Sequence, residues 1–289
     1  MRLIPGKTGS GRTIPINAPI EAIWFTLRYL SVLLVCLLFI SCESNQKDMK
    51  KIIFLHHSTG KNIWMGETNK YINKLIQKSD VRDYFNNYNK KNKSDFLIEE
   101  RIFPKENPYG WKNYPYDYYN IWVKNAGGEP YMEEPTLEIL SKEYEVIIFK
   151  HCYPVSKILA DTGFPDINSE EKRIENYKLQ YNAIRNKLHQ FHNNKFIVWT
   201  PAVCIKNQLT EDEAKRTQEF RQWMIDEWDE AGDNIFIWDF YSYETEGGLY
   251  LLDKYAVGPA NSHPNREFSG KVAPLFCKFI IDVINGTAK

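Results

Sequence analysis

Five short apolar runs alternating with helical patterns constrain this chain more than any other feature. The runs lie at 51–55, 96–103, 146–150, 196–200 and 235–239, and β-branched residues are prominent in them. Several are apolar throughout, the pattern of strands buried on both faces of a parallel sheet. Between them, Ile174, Tyr177, Tyr181, Ile184, Leu188 and Phe191 recur every three or four residues, which predicts an amphipathic helix. Thr210 and Glu213 have capping-box spacing ahead of a helix running towards Trp228. Phe268, Val272, Phe276, Phe279, Ile280 and Val283 mark a last helix. Strands alternating with helices imply right-handed βαβ units with helices on both faces of one sheet. The expectation is α/β: a single three-layer α/β/α domain over 51–289, with a five-stranded, mainly parallel sheet.

Composition narrows the function classes. With 43% hydrophobic and 26% charged residues, the chain has the make-up of a folded globular protein. Lys and Arg number 37 against 37 Asp and Glu. No long-range field draws nucleic acid, so no nucleic-acid partner is expected.

The first fifty residues read as a targeting segment. Residues 29–40 form an uninterrupted apolar stretch after Arg28, followed by Ser41, Cys42 and Glu43. As a helix it reaches about 18 Å, short of the roughly 30 Å hydrocarbon core. A short apolar run with a basic flank and a small residue behind it is the pattern of an export signal. Phe39-Ile40-Ser41-Cys42 resembles a bacterial lipobox with Phe in place of the usual Leu. That resemblance implies a lipoprotein-type signal over 1–41, lipidation of Cys42, a tether over 42–50, and a lipid-anchored protein of the bacterial cell envelope. Residues 1–27 are long for a basic leader, so the start is expected to lie further downstream; any peptide from 1–25 in a mass spectrum would remove that idea. An uncleaved anchor and a soluble export signal are the alternatives.

In open parallel sheets, ligands sit beyond the carboxyl ends of the strands, which points to the loops expected over 56–65, 104–130, 151–170, 201–209 and 240–265. The first strand ends in His56-His57-Ser58-Thr59-Gly60. A Ser on a sharp strand-to-helix turn exposes its hydroxyl beside the helix's unpaired N–H groups, which favour developing negative charge. Such a Ser also serves as an ordinary cap. Near the C-terminus, Asn261-Ser262-His263-Pro264-Asn265 precedes the last helix, placing His263 where it can serve Ser58 as general base.

Ser58 after the first strand, with His263-Pro264-Asn265 before the last helix, resembles the SGNH/GDSL hydrolase superfamily. The resemblance implies a flavodoxin-like α/β/α fold, Ser58 as nucleophile and His263 as base. His56 and His57 stand where that family usually has Gly-Asp. Its acid, three residues before the His, is replaced by Ala260. Either the backbone carbonyl of Ala260 orients the imidazole, giving a dyad, or Asp239 at the fifth strand's end supplies the acid. The family's Asn after the central strand is also missing; Lys150-His151-Cys152 occupies the place. Cys152 is a weak donor, Lys150 and His151 stronger ones. Gly110 is the nearest match to the family's second oxyanion donor. His57 and Asn265 are further candidates to line the pocket or cap turns.

The loop over 104–130 carries Tyr109, Trp111, Tyr114, Tyr116, Tyr118, Tyr119 and Trp122. Those rings either stack on sugar or pack as a cover over the sheet edge. Cys152, Cys204 and Cys277 lack metal-ligand or CxxC spacing and read as buried small hydrophobes, so no metal and no cofactor is expected. Two functions follow. One is a cell-envelope serine hydrolase cleaving esters through an acyl-enzyme, with a small-molecule or carbohydrate ester as substrate. The alternative is a catalytically degenerate surface lipoprotein binding glycan or protein in the same cleft.

Overall fold

The computed structural model describes residues 49–288; the signal, lipidation and most of the tether expectations lie outside that range. In chain order the principal elements are β1 (Lys50–His56), α1 (Ser58–Met65), α2 (Lys70–Ile76), α3 (Asp80–Asn92), β2 (Phe96–Ile102), α4 (Pro115–Tyr119) and α5 (Leu137–Glu143). Then come β3 (Val146–Phe149), α6 (Ile174–Leu188), β4 (Lys195–Trp199), α7 (Glu211–Trp223), β5 (Ile235–Trp238), α8 (Phe240–Thr245), β6 (Ala256–Gly258), β7 (Asn261–Pro264) and α9 (Arg266–Asn285).

The first five strands form one sheet in the order β2-β1-β3-β4-β5, with every neighbouring pair parallel. That is the flavodoxin-like order, whose switch point lies between β1 and β3. Side chains alternate across it. Ile52 and Phe54, Val146 and Ile148, and Ile197 and Trp199 face a core closed by α1, α3 and α9. Ile53 and Leu55, Ile147 and Phe149, and Phe196 and Val198 face a second core closed by α4, α5, α6 and α7. The period of two fills both faces, which is why β3 and β5 carry no polar residue and β4 only Lys195, while the edge strand β2 keeps Glu99, Glu100 and Arg101. The fold is therefore three-layered α/β/α with an all-parallel sheet. Among the described residues no helix is long and apolar enough to cross a membrane.

The capping box at Thr210 is present: its hydroxyl accepts from the Glu213 N–H at 3.2 Å, and Glu213 accepts from the Thr210 N–H at 2.8 Å. Two sequence expectations need correction. The stretch 240–265, expected as a loop, holds α8 and the antiparallel hairpin β6–β7. The aromatic stretch 104–130, expected as one loop, holds helical turns. Pro115 starts α4, which runs into a wider turn over Asn120–Lys124. Tyr118, Tyr119 and Trp122 sit inside the core, where the helix and the wider turn bring Tyr118 and Trp122 onto Phe103 and Phe149.

Candidate functional site

Ser58 is the first residue of α1, with His57 as its N-cap and no side chain capping the helix. The first intrahelical bond runs from the Lys61 N–H to the His57 carbonyl at 2.9 Å. The N–H groups of Ser58, Thr59 and Gly60 therefore precede the ladder and leave donors beside the Ser58 hydroxyl. Gly60 makes this crossing possible: a Cβ there would stand 2.4 Å from the Cβ of His56.

The hairpin delivers an imidazole to this hydroxyl. His263 lies on β7, and its Nε2 is 2.7 Å from the Ser58 Oγ. Its Nδ1 is 2.6 Å from the Asn261 Oδ1, the atom that also accepts the His263 backbone N–H at 3.0 Å. A backbone N–H can only donate, so that atom is the acceptor and Nδ1 carries the imidazole proton. Nε2 then presents a lone pair to the Ser58 O–H. Tyr153 meets the ring edge-on at 5.0 Å between centroids and restricts its rotation. Burial, and secondarily the Lys150 cation, hold the His263 pKa below its ordinary 6.5. The imidazole is thus neutral and ready to accept a proton at neutral pH.

Ser58, His263 and Asn261 make a serine–histidine–asparagine constellation. No signal in the sequence marks Asn261: the resemblance points three residues upstream of His263 for a carboxylate, whereas on a strand residues i and i+2 share a face. Neither expected orienter of His263 is its partner. The Ala260 carbonyl accepts from Gln208 Nε2 at 2.7 Å. Asp239 follows β5, three strands from β1 and so about 14 Å away across the sheet. Its carboxylate is engaged by Arg221 of α7, by Thr200 Oγ1 at 3.0 Å and by Ser242.

A pocket of about 200 Å³ surrounds the pair, lined by His57, Trp111, Asn113, Tyr114, Cys152, Tyr153 and Pro154 besides Ser58 and His263. The chain leaving β3 keeps the strand alternation for two residues. Lys150 turns to the α9 side, 5.7 Å from the Trp199 ring. His151 turns to the other, between an Asn113 carbonyl at 3.1 Å and the Tyr181 hydroxyl at 2.8 Å. Facing a carbonyl, its Nδ1 must donate, so Nε2 accepts from Tyr181. With its pKa pushed down to about 3 by burial, His151 is neutral, fully committed and outside the pocket. Neither it nor Lys150 lines the pocket as an oxyanion donor. Cys152 does face it, with Sγ 3.7 Å from the Ser58 Oγ.

The remaining candidates separate clearly. Gly110 adopts φ +130, and its N–H goes to the Lys105 carbonyl at 3.3 Å, leaving nothing for an oxyanion. It borders a neighbouring hollow rather than the Ser58 pocket. Asn265 caps α9 through the Phe268 N–H at 2.9 Å and spends its amide hydrogens on the Lys254 and Ala256 carbonyls. His57 donates from Nε2 to the Pro104 carbonyl at 2.7 Å and packs on Trp111 at 4.5 Å. Burial pushes its pKa down to about 4, so it forms a neutral pocket wall. Asn113, which no sequence signal marked, ties the aromatic segment to the β3 exit. Its Oδ1 accepts the Cys152 N–H at 2.8 Å, while Nδ2 donates to the Phe103 carbonyl and the Tyr118 hydroxyl.

Comparison of the chain with family models, with curated proteins and with solved structures returns no significant match.

Proposed function

We propose that this protein is an SGNH-like serine hydrolase that cleaves esters through an acyl-enzyme on Ser58. The observation that carries the reading is the 2.7 Å contact from Ser58 Oγ to a His263 whose other nitrogen is fixed by Asn261. In the proposed scheme His263 Nε2 takes the Ser58 proton as Oγ attacks the acyl carbon. The oxyanion forms beside the free N–H groups at the start of α1. His263 then returns its proton to the leaving alcohol, and water repeats the sequence to release the acid.

The pocket's size supports a short acyl group. Its roughly 200 Å³ falls below the range of about 300–1,000 Å³ that holds drug-sized ligands. Trp111 is 55% exposed at its rim and offers a face to the alcohol portion, which suits a carbohydrate. Anchoring at the cell envelope through a lipid on Cys42 belongs to the same proposal. Cys42→Ala should then release the protein from the membrane fraction, and unchanged membrane association would remove that part.

The test is reaction with a fluorophosphonate and with p-nitrophenyl acetate. Ser58 should carry the phosphonyl group. Ser58→Ala should lose both reactions, and His263→Ala should lose about 10²–10⁴ in rate, the usual worth of a general base. An acetyl ester should outrun an octanoyl ester.

One observation favours the second reading, a relative that binds glycan or protein without turnover. Asn113, the side-chain amide that lines the pocket, spends both hydrogens internally, so among the described residues no pocket-lining amide is left to support the oxyanion. Equal, background rates in parent, Ser58→Ala and His263→Ala would establish that reading instead.

A further inference from the structure

Behind the Ser58–His263 pair lie buried polar groups that the acyl-transfer scheme leaves unused. Lys150 is 1% exposed. Among the described residues its ammonium has one hydrogen-bond contact, to Cys152 Sγ at 3.9 Å. An ammonium carries three donors, so two of them meet no acceptor there. Glu244, fully buried, accepts the Val203 N–H at 2.8 Å through Oε2, while its Oε1 has no partner. Cys152 joins this interior to the pocket: its sulfur touches the Lys150 ammonium on one side and the Ser58 hydroxyl on the other. The remaining described thiols are placed otherwise. Cys204 and Cys277 are fully buried, and Cys204 Sγ lies against Ser156 Oγ and the Tyr153 carbonyl, both at 3.6 Å.

We propose that Cys152 is a thiol-modification site, and that a small disulfide-linked group on its sulfur closes the Ser58 pocket. The consequence for catalysis rests on the serine-hydrolase reading; the modification itself does not. In the step, the Cys152 sulfur attacks one sulfur of a small disulfide or thiosulfonate. A new S–S bond forms, the reagent's S–S bond breaks, and a thiolate or sulfinate leaves while the thiol proton passes to solvent. Cys152 is oxidised and the reagent reduced. The Lys150 ammonium stands where negative charge gathers on the attacking sulfur, which stabilises that passage. The added group then occupies the pocket beside Ser58 Oγ, where the acyl carbonyl would sit. Excess thiol reverses the exchange.

The test uses the full chain with methyl methanethiosulfonate, read by peptide mass mapping and by fluorophosphonate labelling of Ser58. Cys152 should gain the methylthio group well before Cys204 and Cys277. Labelling of Ser58 should be lost in step and should return with dithiothreitol. In Cys152→Ser, the reagent should leave unchanged whatever labelling rate that variant shows. Lys150→Met should slow modification of Cys152 without changing the order of the other thiols. Modification of Cys204 or Cys277 ahead of Cys152, or full Ser58 labelling with Cys152 modified, overturns the proposal. If the parent shows no labelling at all, the hydrolase reading fails, and the order of thiol modification still decides whether Cys152 is the site.

Discussion

At the scale of single residues, the site turns on which atom faces His263 Nδ1. A carboxylate there would stabilise the imidazolium strongly; the Asn261 amide only fixes the tautomer and the ring. Removing one such neutral hydrogen bond costs about 1 kcal/mol, so Asn261→Ala should lower kcat about fivefold while KM moves little. Asn261→Asp tests the electrostatics. In the proposed scheme catalysis needs neutral His263, and burial holds its pKa below 6.5, so the acid limb of kcat/KM should have its midpoint below pH 6.5. A carboxylate at 261 favours the charged ring and raises that pKa. The acid limb of the profile should therefore move to higher pH in Asn261→Asp. An unmoved limb would show that His263 is not the titrating base. Ser58 and His263 were legible in the sequence because each sits at a turn beside a strand or helix end. Asn261 was not, because its role depends on β7 being a strand, and the residues around it read as a loop.

At the scale of elements, the reach of Ser58 depends on how closely α1 packs on the end of β1. Gly60 sits at that crossing, where an added Cβ would also come 2.7 Å from the His56 Cγ and 3.0 Å from the Phe54 ring. The neighbour is the root of a buried side chain and has little freedom to move. Gly60→Ala should cost about 1–3 kcal/mol by overpacking. The phosphonylation rate of Ser58 should fall as well, because the helix must tilt to relieve the clash. An unchanged melting temperature would show that β1 and α1 are less tightly coupled than the distances say. The strand positions were readable to within about a residue, since parallel strands are short, apolar and flanked by polar turns. The aromatic segment was ambiguous for a physical reason. Tyr118 and Trp122 are amphipathic rings whose sequence suits a core or a surface equally; α4 and the wider turn after it decide by bringing them onto Phe103 and Phe149.

At the scale of the whole molecule, two apolar cores clamp the sheet and leave polar groups at its carboxyl edge with few partners. Glu244 is the extreme case. Burial pushes its carboxyl up from 4.5 to about 8, an effect that the Val203 N–H and the Lys150 cation only partly offset. The folded chain therefore keeps a proton that the unfolded chain releases above about pH 4.5. Folding binds more protons than unfolding across the window from 4.5 to about 8, so stability falls as pH rises through it. Glu244→Gln keeps an oxygen to accept the Val203 N–H and removes the titration. Lys150, whose pKa burial lowers, is present in both proteins, so comparing them cancels its own contribution to first order. The variant and parent should melt at similar temperatures near pH 5. The variant should gain steadily on the parent towards pH 8, and the gap should level off above it. Parallel curves from pH 5 to pH 8 would mean that Glu244 is already ionised in the fold, paired with Lys150 across the interior behind the Ser58 pocket.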